Sequence, residues 1–204
     1  MHSAHDMTAE AEIGEEDHLR ADLYVLLAKL LSAPPDADTL AQLGGLQGDK
    51  SELGRNISLL AQMARAATPR DAEREYNALF IGLSRGELLP FGSYYLTGFL
   101  NEKPLALLRQ DMARLGIEKS ADHSEPEDHI ATCMEIMAGL IRGRFAAPIC
   151  LNVQNEFFAA HIKPWAEHFF TDLEKAKGSA LYVPVGRIGR IFMQIEDQAF
   201  RMEN

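Results

Sequence analysis

Apolar residues in this chain recur at intervals of three and four almost throughout, and nowhere alternate with polar ones for long enough to make a strand. Leu19, Leu23, Leu26, Leu27, Leu30 and Leu31 form one stripe. Leu53, Ile57, Leu60 and Met63 form a second, and Leu105, Leu108, Met112 and Leu115 a third. Side chains at this spacing share one face of a helix. The pattern therefore predicts an all-α fold, a single multi-helix bundle of roughly eight to ten helices near the ~11-residue average. The 204 residues suit one domain. A chain of that size buries about 70% of its extended surface, enough for an unaided core. No glycine-rich phosphate loop follows a strand, and no repeat of fixed period appears.

Proline, glycine and capping residues divide the chain. Residues 1–15 are polar and read as a flexible N-terminal tail, and 16–204 as the helical domain. A first helix over 16–32 ends at Ser32-Ala33-Pro34-Pro35, with Tyr24 in the core. A short one over 36–43, capped by Asp36 or Asp38, stops at Gly44-Gly45. A third spans 51–67. Thr68-Pro69-Arg70-Asp71 is a break before a helix over 71–82 that carries Tyr76, Leu79, Phe80 and Leu83. Tyr94 to Leu100 reads either way. Pro104 opens the next helix near its first position, beside Asn101 or Lys103, and Gly116 stops it. A helix from Pro126 carries Ile130, Cys133, Met134, Met137, Leu140 and Ile141. Pro148 opens another, with Val153, Phe157 and Ala160 inward, and Trp165, His168, Phe169 and Leu173 follow at helical spacing. The aromatic residues of 157–170 read as core. The last helix shows Val185, Ile188, Phe192, Ile195, Ala199 and Met202.

Charge narrows the partners. The formal net charge is −10, which favours solubility or a cationic partner and argues against nucleic acid. Cys133 and Cys150 lie apart, each flanked by apolar residues, and read as buried reduced thiols; no zinc site is expected. The N-terminus has neither an apolar core of a secretory signal nor an Arg-Arg pair. No apolar run approaches the ~20 residues of a membrane span. A cytoplasmic protein without stable membrane insertion is expected.

Two stretches do not fit a bare connector. The first, Leu79 to Tyr95, includes Leu88-Leu89-Pro90-Phe91-Gly92-Ser93-Tyr94-Tyr95. Its glycines, Gly82, Gly86 and Gly92, permit positive φ and close approach. Its aromatic residues either fold over the protein's own core or bind a peptide. The second is Ser124-Glu125-Pro126-Glu127-Asp128-His129. Ser124 with Glu127 makes a capping box, or Glu125 is the cap with Pro126 at the first position. The carboxylates of Glu125, Glu127 and Asp128 suit a helix start. By residue type alone His129 is a satisfied core histidine, and Glu125, Asp128, His129 and Glu135 make a poor metal set, because no second Glu-x-x-His segment exists.

The pattern Tyr76-x-x-Leu79-Phe80-x-Gly82, then Leu89-Pro90-Phe91-Gly92-Ser93-Tyr94-Tyr95, then Glu125-Pro126-Glu127-Asp128-His129 resembles the TorD/DmsD/NarJ family of redox-enzyme maturation chaperones, in motif order over roughly residues 18–170. The resemblance implies a cytoplasmic chaperone that is no enzyme and needs no cofactor. It would bind the twin-arginine signal peptide and the apo form of a molybdenum or tungsten enzyme, delaying export until the cofactor is inserted. The family links the Asp-His pair to signal-peptide recognition, so Asp128 and His129, with Glu127, are the expected polar contacts. Phe80, Leu89, Pro90, Phe91, Ser93, Tyr94 and Tyr95 are the expected apolar cradle. Phe91 stands where a family variant has tryptophan, which keeps the ring and removes an indole N–H. The run from Leu89 to Leu100 looks like the branch associated with formate dehydrogenases. The family includes monomers and domain-swapped dimers, and 117–124 and 143–148 are candidate hinges. The alternative from the residues themselves is an all-α metal-dependent enzyme using Glu127, Asp128 and His129.

Overall fold

The computed structural model describes residues 14–82, 85–118, 125–145 and 150–202. Expectations placed on 1–13, Leu83, Ser124 and Pro148 lie outside these residues. Among the described residues ten α-helices run in chain order: α1 (Glu15–Ser32), α2 (Ala37–Gly44), α3 (Glu52–Ala66), α4 (Pro69–Tyr76), α5 (Gly92–Thr97), α6 (Lys103–Arg114), α7 (Ile130–Ile141), α8 (Leu151–Phe157), α9 (Ala166–Glu174) and α10 (Tyr182–Met202). Two short π-helical segments extend α4 and α8, π1 (Asn77–Ile81) and π2 (Phe158–Ile162). There is no strand among the described residues, and the all-α expectation holds. None of the described helices is long and apolar enough to cross a membrane.

The short polar signals set the boundaries. Asp36 accepts from Thr39 N at 2.8 Å and Ser51 from Gly54 N at 3.0 Å, each supplying an acceptor to an orphan first-turn N–H. The expected break at 68–71 is instead the start of α4: Thr68 caps it and Pro69 takes the first turn, where its missing N–H costs nothing. Tyr94 lies in helix α5.

The bundle is built around α7, whose residues are all buried except Thr132 and Glu135, as a helix packed on every side must be. It packs chiefly on α1, while α10 lies against α9 and α3. Tyr24, Trp165, Phe158, Phe169, Phe170 and Phe192 are the large side chains of the core, so the aromatic residues expected to be core are so, apart from exposed His168. Cys133 is buried, but Cys150 is exposed, which corrects the expectation for that thiol.

Two stripes turn differently from their sequence reading. Leu19 is 61% exposed and Ile195 45% exposed, whereas Glu196 is fully buried. From Phe192 a helical face continues as readily through 196 and 200 as through 195, 199 and 202. The chemistry across the interface decides. Arg20 and Tyr24 of α1 meet Glu196, and Phe200 lies under the Arg20 guanidinium at 5.4 Å. At its other end α10 starts against α4: Glu75 accepts from Ser179 Oγ at 2.6 Å, Ala180 N at 3.0 Å and Tyr182 N at 2.9 Å. That side chain does for α10 what a local cap does elsewhere.

Helices α9 and α10 approach closely because α10 carries Gly186 and Gly189. A Cβ on Gly186 would lie 2.5 Å from Glu174 N and 2.9 Å from Phe170 O, both backbone atoms that cannot rotate away. Gly186→Ala is therefore expected to lower stability by at least about 1 kcal/mol, although alanine is the better helix former by ~1 kcal/mol. Urea unfolding measures it; a variant at least as stable as wild type would show that this contact has room.

Candidate functional site

The two irregular stretches meet. π1 ends at Gly82 with φ +63°, a left-handed turn that favours glycine. The chain then folds back along π1 through Leu88 N to Leu79 O at 2.8 Å. Beyond it, Phe91 and His129 pair as an isolated antiparallel bridge. Gly92 N donates to Asp128 O at 2.9 Å, and Ile130 N to Pro90 O at 2.8 Å. This pairing keeps His129 out of helical geometry, at φ −64°, ψ 138°. α7 consequently begins at Ile130 and not at Pro126, and its capping residue is His129, whose Nδ1 accepts from Ala131 N at 3.1 Å.

The three motif side chains take different partners. Glu127 is buried and paired with Arg109 of α6, at 2.9 Å from Nε and 2.7 Å from Nη2; that bond holds the Arg109 guanidinium above its ordinary pKa. His129 caps α7 and packs edge-on to Phe91, ring centres 5.1 Å apart. Asp128 is 3% exposed, and its Oδ2 accepts from Ser93 N at 2.7 Å. Its Oδ1 is buried and has no hydrogen-bond partner among the described residues, and the same holds for Ser93 Oγ. Unmatched buried carboxylate oxygens are rare and costly. Among the described residues no three His, Cys, Asp or Glu side chains are grouped to hold a metal ion.

The expected apolar cradle is largely occupied with its own packing. Phe80 and Pro90 are buried, Phe80 within the aromatic cluster of Tyr76 and Tyr182. Leu89 and Phe91 are half-buried. The Tyr95 hydroxyl donates to Asp172 Oδ2 at 3.1 Å, and its ring lies against Trp165 and Phe169. Tyr94 is covered by the Arg85 guanidinium at 5.5 Å.

Sequence reasoning missed the far wall. α5, α6, π2 and the motif turn enclose a cavity of about 220 Å3, walled in part by Leu96, Leu107, Asp111, Asp128, His161 and Trp165. The turn that follows π2 shapes it. Trp165 N bonds Ile162 O, so the His161 carbonyl loses its regular helical donor and accepts from the Trp165 indole N–H at 2.7 Å. His161 Nε2 lies 2.7 Å from Asp111 Oδ2. Leu96, Phe99, Leu100 and Leu107 are 43–69% exposed. The one sequence signal for Leu96, Phe99 and Leu100 was an apolar run at 94–100 that joined no stripe, and Leu107 had none. On the other side of the motif a larger hollow of about 550 Å3 lies between α1 and α7, with Glu125, Glu127 and Glu135 in its wall.

The sequence profile of the family described as nitrate reductase delta subunit matches residues 46–171, more than half of the chain and inclusive of both stretches. A chaperone protein TorD from Aliivibrio fischeri is 31% identical over 137 residues, covering 60% of this chain and 64% of its own. One from Vibrio cholerae is 26% identical over 196 residues, covering 86% and 89%. In the crystal structure described as a redox enzyme maturation protein from Archaeoglobus fulgidus, 94% of that chain superposes on 87% of this one with a TM-score of 0.57 at 22% identity, which establishes the shared fold. The chain belongs to the nitrate reductase delta subunit family, the redox-enzyme maturation chaperones of the TorD/NarJ type.

Proposed function

We propose that this chaperone acts in the cytoplasm, binding the twin-arginine signal peptide of a molybdenum or tungsten oxidoreductase and holding the apo-enzyme until its cofactor is inserted. Formate dehydrogenase is the proposed client, on the run from Leu89 to Leu100. Asp128 carries the reading: a buried carboxylate with one oxygen fixed by the Ser93 N–H and the other unmatched. A guanidinium is the cation whose planar donors suit such an oxygen. Glu127, engaged by Arg109, and His129, capping α7, hold the turn in place, and Ser93 ties it to the loop. The rival reading of a metal-dependent enzyme draws no support from the geometry, since Glu127, Asp128 and His129 serve three separate partners.

Calorimetric titration with a basic-apolar peptide, and with the same peptide carrying Gln-Gln for Arg-Arg, tests it. The arginine peptide is expected to bind at least about tenfold tighter, a difference of ~1.4 kcal/mol, shrinking as salt screens the charges. Equal affinities would remove charge pairing from the mechanism.

A further inference from the structure

Resting on the peptide-binding reading, we propose that the arginine subsite is the cavity between α6 and π2, and that the exposed surface of Leu96, Phe99, Leu100 and Leu107 carries the apolar part of the peptide. The 88–95 loop is then scaffold.

Three observations converge. The first is charge: Asp128 and Asp111 both stand in the cavity wall, and no lysine or arginine lines it among the described residues. Asp128 brings the unmatched Oδ1. Asp111 is held in place by His161 at 2.7 Å and by Arg114 at 3.2 Å. The second is shape. About 220 Å3 is several times the ~30 Å3 share of one water, enough for a guanidinium and part of its stem. The Trp165 indole forms part of the wall, and a planar guanidinium stacks on such a ring where a compact, strongly hydrated ammonium does not. The subsite should therefore prefer Arg over Lys, not merely a positive charge. The third is continuity. Leu96 and Leu107 both line the cavity and are 43% and 45% exposed, and the exposed Phe99 and Leu100 follow Leu96 within four residues of chain. A basic pair followed by an apolar stretch is the chemical complement of that arrangement. Tyr94 and Tyr95, by contrast, are covered by Arg85 and bound to Asp172 respectively.

Trp165 is the protein's one tryptophan, so its fluorescence reports on this cavity directly. The experiment titrates the full chain with tryptophan-free peptides bearing Arg-Arg, Lys-Lys or Gln-Gln before one apolar stretch, followed by calorimetry and Trp165 emission. Wild type is expected to bind Arg-Arg at least about fivefold tighter than Lys-Lys, with a shift in emission. Leu107→Arg places a guanidinium at the cavity, and is expected to lower Arg-Arg affinity about tenfold or more and to abolish the emission shift. Phe99→Ser should weaken all three peptides alike. If wild type prefers Arg-Arg but its tryptophan emission stays constant and Leu107→Arg binds as tightly, the subsite lies elsewhere, the hollow beside Glu135 being next to probe, and the peptide reading stands. If wild type binds all three peptides equally, the subsite falls together with charge pairing; if it binds none, the peptide reading falls as well. The wild-type emission measurement decides the point even where a variant melts early.

Discussion

Glu196→Ala is expected to destabilise the protein by about 3–5 kcal/mol, the cost of breaking a buried ion pair from one side. Glu196 is fully buried in α10. It accepts from Arg20 at 2.7 Å through Nε and at 2.8 Å through Nη2, a two-point contact, and from the Tyr24 hydroxyl at 2.9 Å. Burial, and then the Glu196 charge, push the Tyr24 phenol well above its ordinary pKa, so it remains a donor. Removing the carboxylate leaves a guanidinium only 14% exposed with Asp17 as its remaining ion-pair partner among the described residues, and leaves a buried phenol O–H unmatched. Guanidinium chloride unfolding of Glu196→Ala, Arg20→Ala and the double variant gives the coupling. The double variant should cost less than the sum of the two. A loss under about 1 kcal/mol for Glu196→Ala would mean that water reaches the pair and that α1 and α10 are joined by apolar packing alone.

The second large effect separates stability from binding at Asp128. Asp128→Ala removes the acceptor from the buried Ser93 N–H and should cost roughly 1.5–3 kcal/mol. Asp128→Asn keeps an acceptor for that N–H and removes the charge, along with the desolvation cost of an oxygen that nothing in the fold satisfies. Its melting temperature is expected to equal or exceed that of wild type, while its preference for the Arg-Arg peptide over Gln-Gln disappears. That combination marks a side chain whose charge serves the ligand at the expense of the fold. Should Asp128→Asn melt well below wild type and keep the preference for arginine, the carboxylate is structural and the cation is read elsewhere.

The helical stripes and caps were legible because they are local. Asp36 marks the start of α2 through a bond within a single turn, whereas Thr68 and Pro69, read as a break, cap and open α4 instead. The link between the 79–95 stretch and the Glu-Pro-Glu-Asp-His motif came from resemblance, and the backbone bridge between Phe91 and His129 gives it a physical form. That same bridge defeated the capping argument. Pairing with Pro90 and Gly92 holds His129 extended, so the helix waits for Ile130. No local rule anticipates a backbone partner more than thirty residues away.

By itself, the sequence determined that this chain is a helical bundle, and which two segments break the regular pattern. Periodicity, caps and turn residues act over a few positions and need no knowledge of neighbours. Only the tertiary structure decided that α10 buries Glu196 and exposes Ile195, that Glu127 is matched by Arg109 while Asp128 keeps an unmatched oxygen, and that π2 and the turn after it set His161 and Trp165 across a cavity from the motif. A buried charge is tolerable only where another element brings its partner, and a cavity exists only where helices fail to close. Both depend on packing between segments far apart in the chain.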